Sequence, residues 1–208
     1  MEDLTDIERE EVLRRWWKEN WLWIVGGVAL GLALLGGWRY WQSYRVERAE
    51  AAESRYLSEI ESLGGNRREE AERLATELRE RYGGSPYADQ ADLALARAAI
   101  DRRDFDEAVR RLRSVVDGST DAELAQVART RLARVLIEQG KHDEALALLD
   151  PAKAGAFAAR FHEIRGDALA AKGDKAAALR EYGLALADAS AASGLDRAYV
   201  ELKRGALQ

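Results

Sequence analysis

The chain carries two histidines, His142 and His162, and no cysteine. Imidazole binds zinc or moves protons near neutral pH. These two are not spaced as a His-x-x-x-His pair, and each reads as an ordinary surface or half-buried histidine. Without thiols there are no disulfides, thiolate zinc sites, iron–sulfur clusters or cysteine nucleophiles. Acid pairs such as Glu69-Glu70 and Asp143-Glu144 have Arg or Lys neighbours and read as solvated helix faces. No Gly-x-Ser-x-Gly elbow occurs, and no glycine-rich phosphate loop follows a strand. The sequence nominates no catalytic residue, metal ligand or cofactor, and an enzyme is the least expected class. The chemistry left is recognition. Its candidates are Gln90, Arg97 and Asp101, then Thr130, Arg134 and Glu138, then Arg160, Glu163 and Asp167.

These residues are grouped by a repeat. Three turns read alike: Arg103-Asp104-Phe105-Asp106-Glu107-Ala108, Gly140-Lys141-His142-Asp143-Glu144-Ala145 and Gly173-Asp174-Lys175-Ala176-Ala177-Ala178. Asn66 to Ala71 is a degenerate fourth. Such turns, with small residues where helices cross, resemble the tetratricopeptide repeat, a pair of antiparallel helices that stacks into a solenoid. Leu95-Ala96-Ala99, Leu132-Ala133-Leu136 and Gly166-Leu169 fill the first-helix packing positions. Leu112, Leu149 and Tyr182 fill the large position of the second helix. Asp92, Arg129 and His162 stand where the pattern has a large apolar side chain, Arg165 stands for a usual Leu, and Pro151 comes early enough to shorten its helix. Leu195 to Ala206 reads as a closing helix. The first helix of each repeat is expected to line a concave groove, with the nine candidates facing inward and Leu93, Ile100, Val127 and Ile137 as apolar ground. Arg97 and Arg134 occupy equivalent positions. They either form a rung of guanidiniums or satisfy nearby Asp101, Glu138 or helix C-termini. A mixed groove of this kind suits a peptide or protein partner.

The N-terminal quarter is different. All six tryptophans lie within the first 41 residues, and Trp21 to Trp38 is an 18-residue run, WLWIVGGVALGLALLGGW, with no charge. As a helix it is about 27 Å long, near the thickness of a hydrocarbon core. Trp16, Trp17, Trp21 and Trp23 flank one end and Trp38, Tyr40, Trp41 and Tyr44 the other, as aromatic belts do. A buried core helix would not be bracketed this way. A cleaved signal peptide would not run from Gly36-Gly37 straight into Trp38-Arg39-Tyr40-Trp41. The expectation is an uncleaved anchor in the bilayer. Gly27-xxx-Gly31 and Ala33-xxx-Gly37 are small-residue pairs that can seat another helix. Arg9, Arg14, Arg15 and Lys18 on one side balance Arg39, Arg45, Arg48 and Arg55 on the other, so the positive-inside rule assigns no orientation. Thr5 and Glu8 have capping-box spacing at the start of the tail.

Beyond the span, no Gly or Pro interrupts residues 39–63, and Ala49, Ala52, Tyr56, Ile60 and Leu63 form one apolar helix face. The anchor helix should continue as a stalk to Gly64-Gly65-Asn66. No segment alternates as a strand does. The expected fold is all-α: a tail at 1–20, a transmembrane anchor at 21–38, a stalk and first repeat helix at 39–64, and a tetratricopeptide-repeat-like α-solenoid at 65–208 with a capping helix. Net charge is −5 in 208 residues. That balance lacks the basic footprint of a nucleic-acid binder.

Trp16-Trp17-Lys18-Glu19-Asn20, the span ending Gly36-Gly37-Trp38-Arg39-Tyr40-Trp41, and Arg165-Gly166-Asp167-Ala168-Leu169-Ala170-Ala171-Lys172-Gly173-Asp174-Lys175 together resemble the YfgM family, over the whole chain and in the same order. The resemblance implies a single-pass protein of the bacterial inner membrane, with a cytoplasmic N-terminus and a periplasmic repeat domain. It implies an ancillary subunit of the SecYEG translocon that associates with the periplasmic chaperone PpiD, helps handle newly exported, unfolded chains, and is linked to envelope-stress regulation. It brings no catalytic residues. A self-associating structural scaffold of the envelope is the alternative.

Overall fold

The computed structural model describes residues 6–187 and 194–208, and every element among them is helical. The chain divides into two units, Met1–Glu50 and Ala51–Gln208. Helix α1 runs from Asp6 to Gly64. In the first unit, no partner among the described residues covers its apolar side chains. The most apolar 18-residue window, of mean hydropathy 1.7, has no buried residue, and Trp23 is 82% exposed. Water is a poor solvent for such a surface, whereas lipid tails match it. A Cβ added at Gly27 or Gly31 would meet nothing within 4 Å. Past the run, Trp38 and Trp41 lie 5.5 Å apart, and the Arg45 guanidinium sits 4.8 Å from the Trp41 ring. The capping box of Thr5 and Glu8 lies outside the described residues.

The second unit is a stack of helix pairs. The end of α1 pairs with α2 (Arg68–Tyr82), α3 (Pro86–Asp101) with α4 (Phe105–Gly118), α5 (Ala122–Glu138) with α6 (His142–Leu148), and α7 (Ala158–Ala171) with α8 (Lys175–Ala187); α9 (Arg197–Gly205) closes the chain. Each pair reverses through the same turn. A residue of positive φ, Asn66 (55°), Arg103 (61°), Gly140 (74°) or Gly173 (86°), ends the first helix. The next amide reaches back to close a Schellman motif: Arg67 to Ser62 O (2.8 Å), Asp104 to Ala99 O (2.9 Å), Lys141 to Leu136 O (2.8 Å) and Asp174 to Leu169 O (3.0 Å). The following helix then starts at once, and the alanines at 71, 108, 145 and 178 are fully buried.

Between the helices the small and large positions interlock. Ala96, Ala99 and Ala133 are buried beside Leu112 and Leu149 in one core cluster. The tightest approach is at Gly166, where a Cβ would stand 2.5 Å from the Tyr182 ring. Helix α6 ends at Leu148, and short 3-10 turns at Pro151–Lys153 and Gly155–Phe157 lead into α7. Pro151 therefore does shorten this repeat.

The polar residues at apolar positions of the pattern are all partnered. Buried Asp92 accepts from Arg79 (Nε, 3.1 Å), Arg111 (3.2 Å) and Ser114 (3.1 Å), and Asp89 from Arg79 (2.9 Å) and Ser119 (2.5 Å). Arg129 donates to Gln126 (2.8 Å), and His162 Nδ1 lies 2.7 Å from Glu181. Arg165 donates to Glu181 (3.0 Å) and to Leu149 O (3.0 Å), so its guanidinium caps the truncated end of α6.

Glu59, on α1, is the exception. It is fully buried, and neither carboxylate oxygen has a hydrogen-bond partner. Burial, with Asp92 adding to it against an opposing pull from Arg111, pushes its pKa up to about 8. The acid is therefore neutral in the fold at neutral pH.

Two predictions follow from these features. Arg103 adopts a backbone that glycine takes without strain, so Arg103→Gly should raise stability by about 1 kcal/mol and Gly173→Ala lower it by about as much. Urea titration followed by far-UV circular dichroism measures both, because tryptophan fluorescence reports only the first unit. In the unfolded chain Glu59 loses its proton near its ordinary 4.5, but in the fold only near 8. Its contribution to stability is complete below pH 4.5 and is lost as pH rises through about 8, with a limiting slope of about 1.4 kcal/mol per pH unit. Glu59→Gln should remove that slope; an unchanged pH profile would show the acid to be solvated.

Candidate functional site

The first helices α3, α5 and α7 pack in a row, so their outer residues share one face. On α7 the centre of this face is Glu163, 2% exposed. Its carboxylate draws cations from three helices: Arg160 of α7 (3.0 Å), Lys203 of α9 (3.0 Å) and Arg134 of α5 (3.5 Å). One turn on, Asp167 accepts from the same Lys203 (2.8 Å) and from the Tyr182 hydroxyl (2.8 Å). Arg160 also donates to Gly194 O, ahead of α9. Burial and the Asp167 hydrogen bond hold the Tyr182 phenol well above its ordinary pKa. Burial alone would lower Lys203; the hydrogen bonds it donates to Asp167 and Glu163 outweigh it and keep the ammonium charged. Around this knot lies an open cleft of about 530 Å³, which also takes in Ile137, Glu138 and Tyr199.

The structure brings together five of the nine residues expected from the sequence: Arg134, Glu138, Arg160, Glu163 and Asp167 all line this cleft. Arg97 and Asp101 lie exposed on α3 and pair with each other (2.9 Å). Arg134 turns to Glu163 rather than to Glu138, so the two equivalent arginines are each held by a carboxylate. Gln90 is half-buried near the start of α3. Thr130 is buried, and its hydroxyl donates within its own helix to Val127 O (2.7 Å). Leu93 belongs to the core, with Ile100, Val127 and Ile137 partly buried against it.

Three residues of this face were not anticipated. Lys203 and Tyr199 come from α9, whose seat no repeat template fixes. Arg131 is the third: the exposed stripe of α5 runs Arg131, Arg134, Glu138, the steps of three and four of one helix face. That spacing was readable; what separates Thr130, four residues from Arg134, is its burial.

A stack of four helix pairs with side chains converging on one face and a closing helix defines the class, a helical-repeat protein. Residues 14–208 match the family of tetratricopeptide repeat-like domains. The chain is also 33% identical over 171 residues to the ancillary SecYEG translocon subunit of Escherichia coli, covering 81% of each chain. It is 33% identical over 178 residues to the protein of that name from Haemophilus influenzae (84% of this chain, 86% of the relative) and 31% over 185 residues to that of Neisseria gonorrhoeae (86% and 87%). The chain belongs to this family, the one its sequence resembles.

The Lys203 knot makes a prediction. Lys203→Ala leaves Asp167 without its cation and Glu163 short of one, and should cost about 2 kcal/mol, with faster amide exchange across α9. Tyr199→Ala, at an exposed position, should cost less than about 1 kcal/mol. Equal exchange in α9 for both variants would refute the ionic anchoring of that helix.

Proposed function

We propose that this protein is a membrane-anchored adaptor that works beside the SecYEG translocon in the inner membrane. The observation that carries this reading is the unburied apolar run of Trp21–Trp38 in a chain whose relatives bear the name of a translocon subunit. The span holds the repeat domain in the plane of its partners, and anchoring raises effective concentration, so each contact can be weak. In the finer reading the N-terminus is cytoplasmic and the repeat domain periplasmic. The face of α3, α5 and α7 then meets a PpiD-like chaperone or an unfolded chain leaving the channel. The mixed charges of that face, with Ile137 between them, suit a polypeptide better than a small molecule. Gly27 and Gly31 leave a smooth strip on the span against which a second membrane helix packs closely. That strip serves the adaptor and equally the alternative, a self-associating scaffold.

Photocrosslinking groups placed at Arg97 and Arg134 in native membranes test the reading. Adducts to translocon subunits, to a chaperone or to exported chains are expected. Adducts only between copies of this chain would favour the scaffold, and no adducts at all would count against the face as a docking surface. A fragment starting near residue 45 should lose most of its co-purification with the translocon. Full retention would remove the span as the docking element.

A further inference from the structure

The ionic groups on the candidate face are unevenly satisfied. Arg97 is held by Asp101 through both carboxylate oxygens (2.9 and 3.1 Å). Arg134, Arg160 and Lys203 share Glu163, and Lys203 also holds Asp167. Two groups on α5 are left over. Arg131 and Glu138 are exposed, and neither has an ion-pair or hydrogen-bond partner among the described residues. Arg131 has a cation for a neighbour instead: partial desolvation and the adjacent Arg97 lower its pKa from the ordinary arginine value. Two guanidiniums with one carboxylate between them form a site short of one anion.

Arg131 and Glu138 sit two turns apart on one stripe of α5, roughly 10 Å along the axis at 1.5 Å per residue. An extended polypeptide in the polyproline II form advances roughly 3.1 Å per residue with three residues per turn, so side chains three apart share a face and span nearly the same distance, roughly 9 Å. Half-buried Ile137, beside Glu138 on the same helix, gives the segment apolar ground at that end. The face also carries Asp101, Glu138, Glu163 and Asp167, which nearly balance its cations, so it lacks the basic excess that a polyanion such as nucleic acid or an anionic lipid surface needs. A single carboxylate meets no such barrier and fits the planar fork of a guanidinium in bidentate fashion.

We infer that the free face of α5 receives an extended polypeptide segment bearing a carboxylate and a basic side chain three residues apart, the carboxylate at Arg131 beside Arg97 and the base at Glu138. The inference rests on reading this face as the protein-binding one and names the chemistry of what it takes.

The test uses the full chain in lipid nanodiscs and fluorescence anisotropy of a labelled, end-blocked decapeptide. The probe carries one Glu and one Lys three residues apart among Val, Leu and Ser. Replacing its Glu by Gln should weaken binding at least about tenfold, as loss of a charge-assisted contact does. Arg131→Glu in the protein should weaken the parent probe as much, and a probe with the Glu and Lys exchanged should recover binding to the variant Arg131→Glu, Glu138→Lys. Rescue of that kind does not arise from misfolding. Equal binding of the Glu and Gln probes, indifference to Arg131→Glu, failure of the exchanged pair, or no binding of any probe would each overturn the assignment. If that happens while crosslinks from Arg97 and Arg134 still reach translocon partners, the carboxylate chemistry is wrong and the adaptor reading stands. If both fail, the face itself is misassigned.

Discussion

One backbone constraint recurs through the repeat domain: the first helix of every pair must end in a left-handed residue. At Asn66, Arg103, Gly140 and Gly173 the positive φ lets the next amide bond back across the helix end. Carbonyls that would be orphaned are satisfied, and the chain reverses within three residues. The second helix then starts at once, and the alanine five residues on is fully buried. Because the turn is the same each time, α3, α5 and α7 align in a row and their outer residues share a face. Glycine takes the conformation freely at two of the four turns; Asn66 tolerates it through its short polar side chain, and exposed Arg103 is held in it by the backbone bonds of the turn, its own amide to Ile100 O and that of Asp104 to Ala99 O.

The second theme is how a stack of short helices accommodates acids in its interior. Asp89 and Asp92 are paired with Arg79 and Arg111 at the α2–α3–α4 junction, and Glu163 and Asp167 with Arg134, Arg160 and Lys203 at the α5–α7–α9 junction. Both junctions join helices of different pairs. Ionic contacts of this kind add little net stability over apolar packing, but they have a single good geometry, so they fix how one pair sits on the next. Glu59 belongs to the first junction without a cation of its own. The fold keeps it by keeping it protonated, which couples that junction to pH in a way the second, fully compensated one is not.

Much of this was legible in the sequence. The unbroken run from the anchor to Gly64, the four turns, the buried alanines and the short helix before Pro151 follow from local rules of helix start, stop and periodicity, and the helices fall where those rules put them. The candidate face was legible in part. Helical phase put Arg134, Glu138, Arg160, Glu163 and Asp167 around one cleft, because the turns set the phase. It misplaced Thr130 and Leu93, since a projected stripe takes no account of how far a neighbouring helix reaches over its edge. Lys203 was invisible because a closing helix obeys no repeat. Arg134 was assigned to a choice of partners that left out Glu163, since contacts between repeats depend on stacking, which no local spacing encodes.

The same stacking decides which charges remain available for recognition. An incoming carboxylate aimed at Arg134, Arg160 or Lys203 competes with Glu163, which is already desolvated and already surrounded. Its gain is reduced by whatever Glu163 loses, since an acid 2% exposed cannot turn to water for compensation. Arg131 carries no such debt. Partial desolvation and the Arg97 guanidinium disfavour its charge, so a carboxylate placed there relieves a repulsion as well as forming a contact. Within this face the residues that hold the stack together and the residues free to bind are therefore different sets, although they alternate along the same helix. Arg134 belongs to the first and Arg131 to the second, one turn apart.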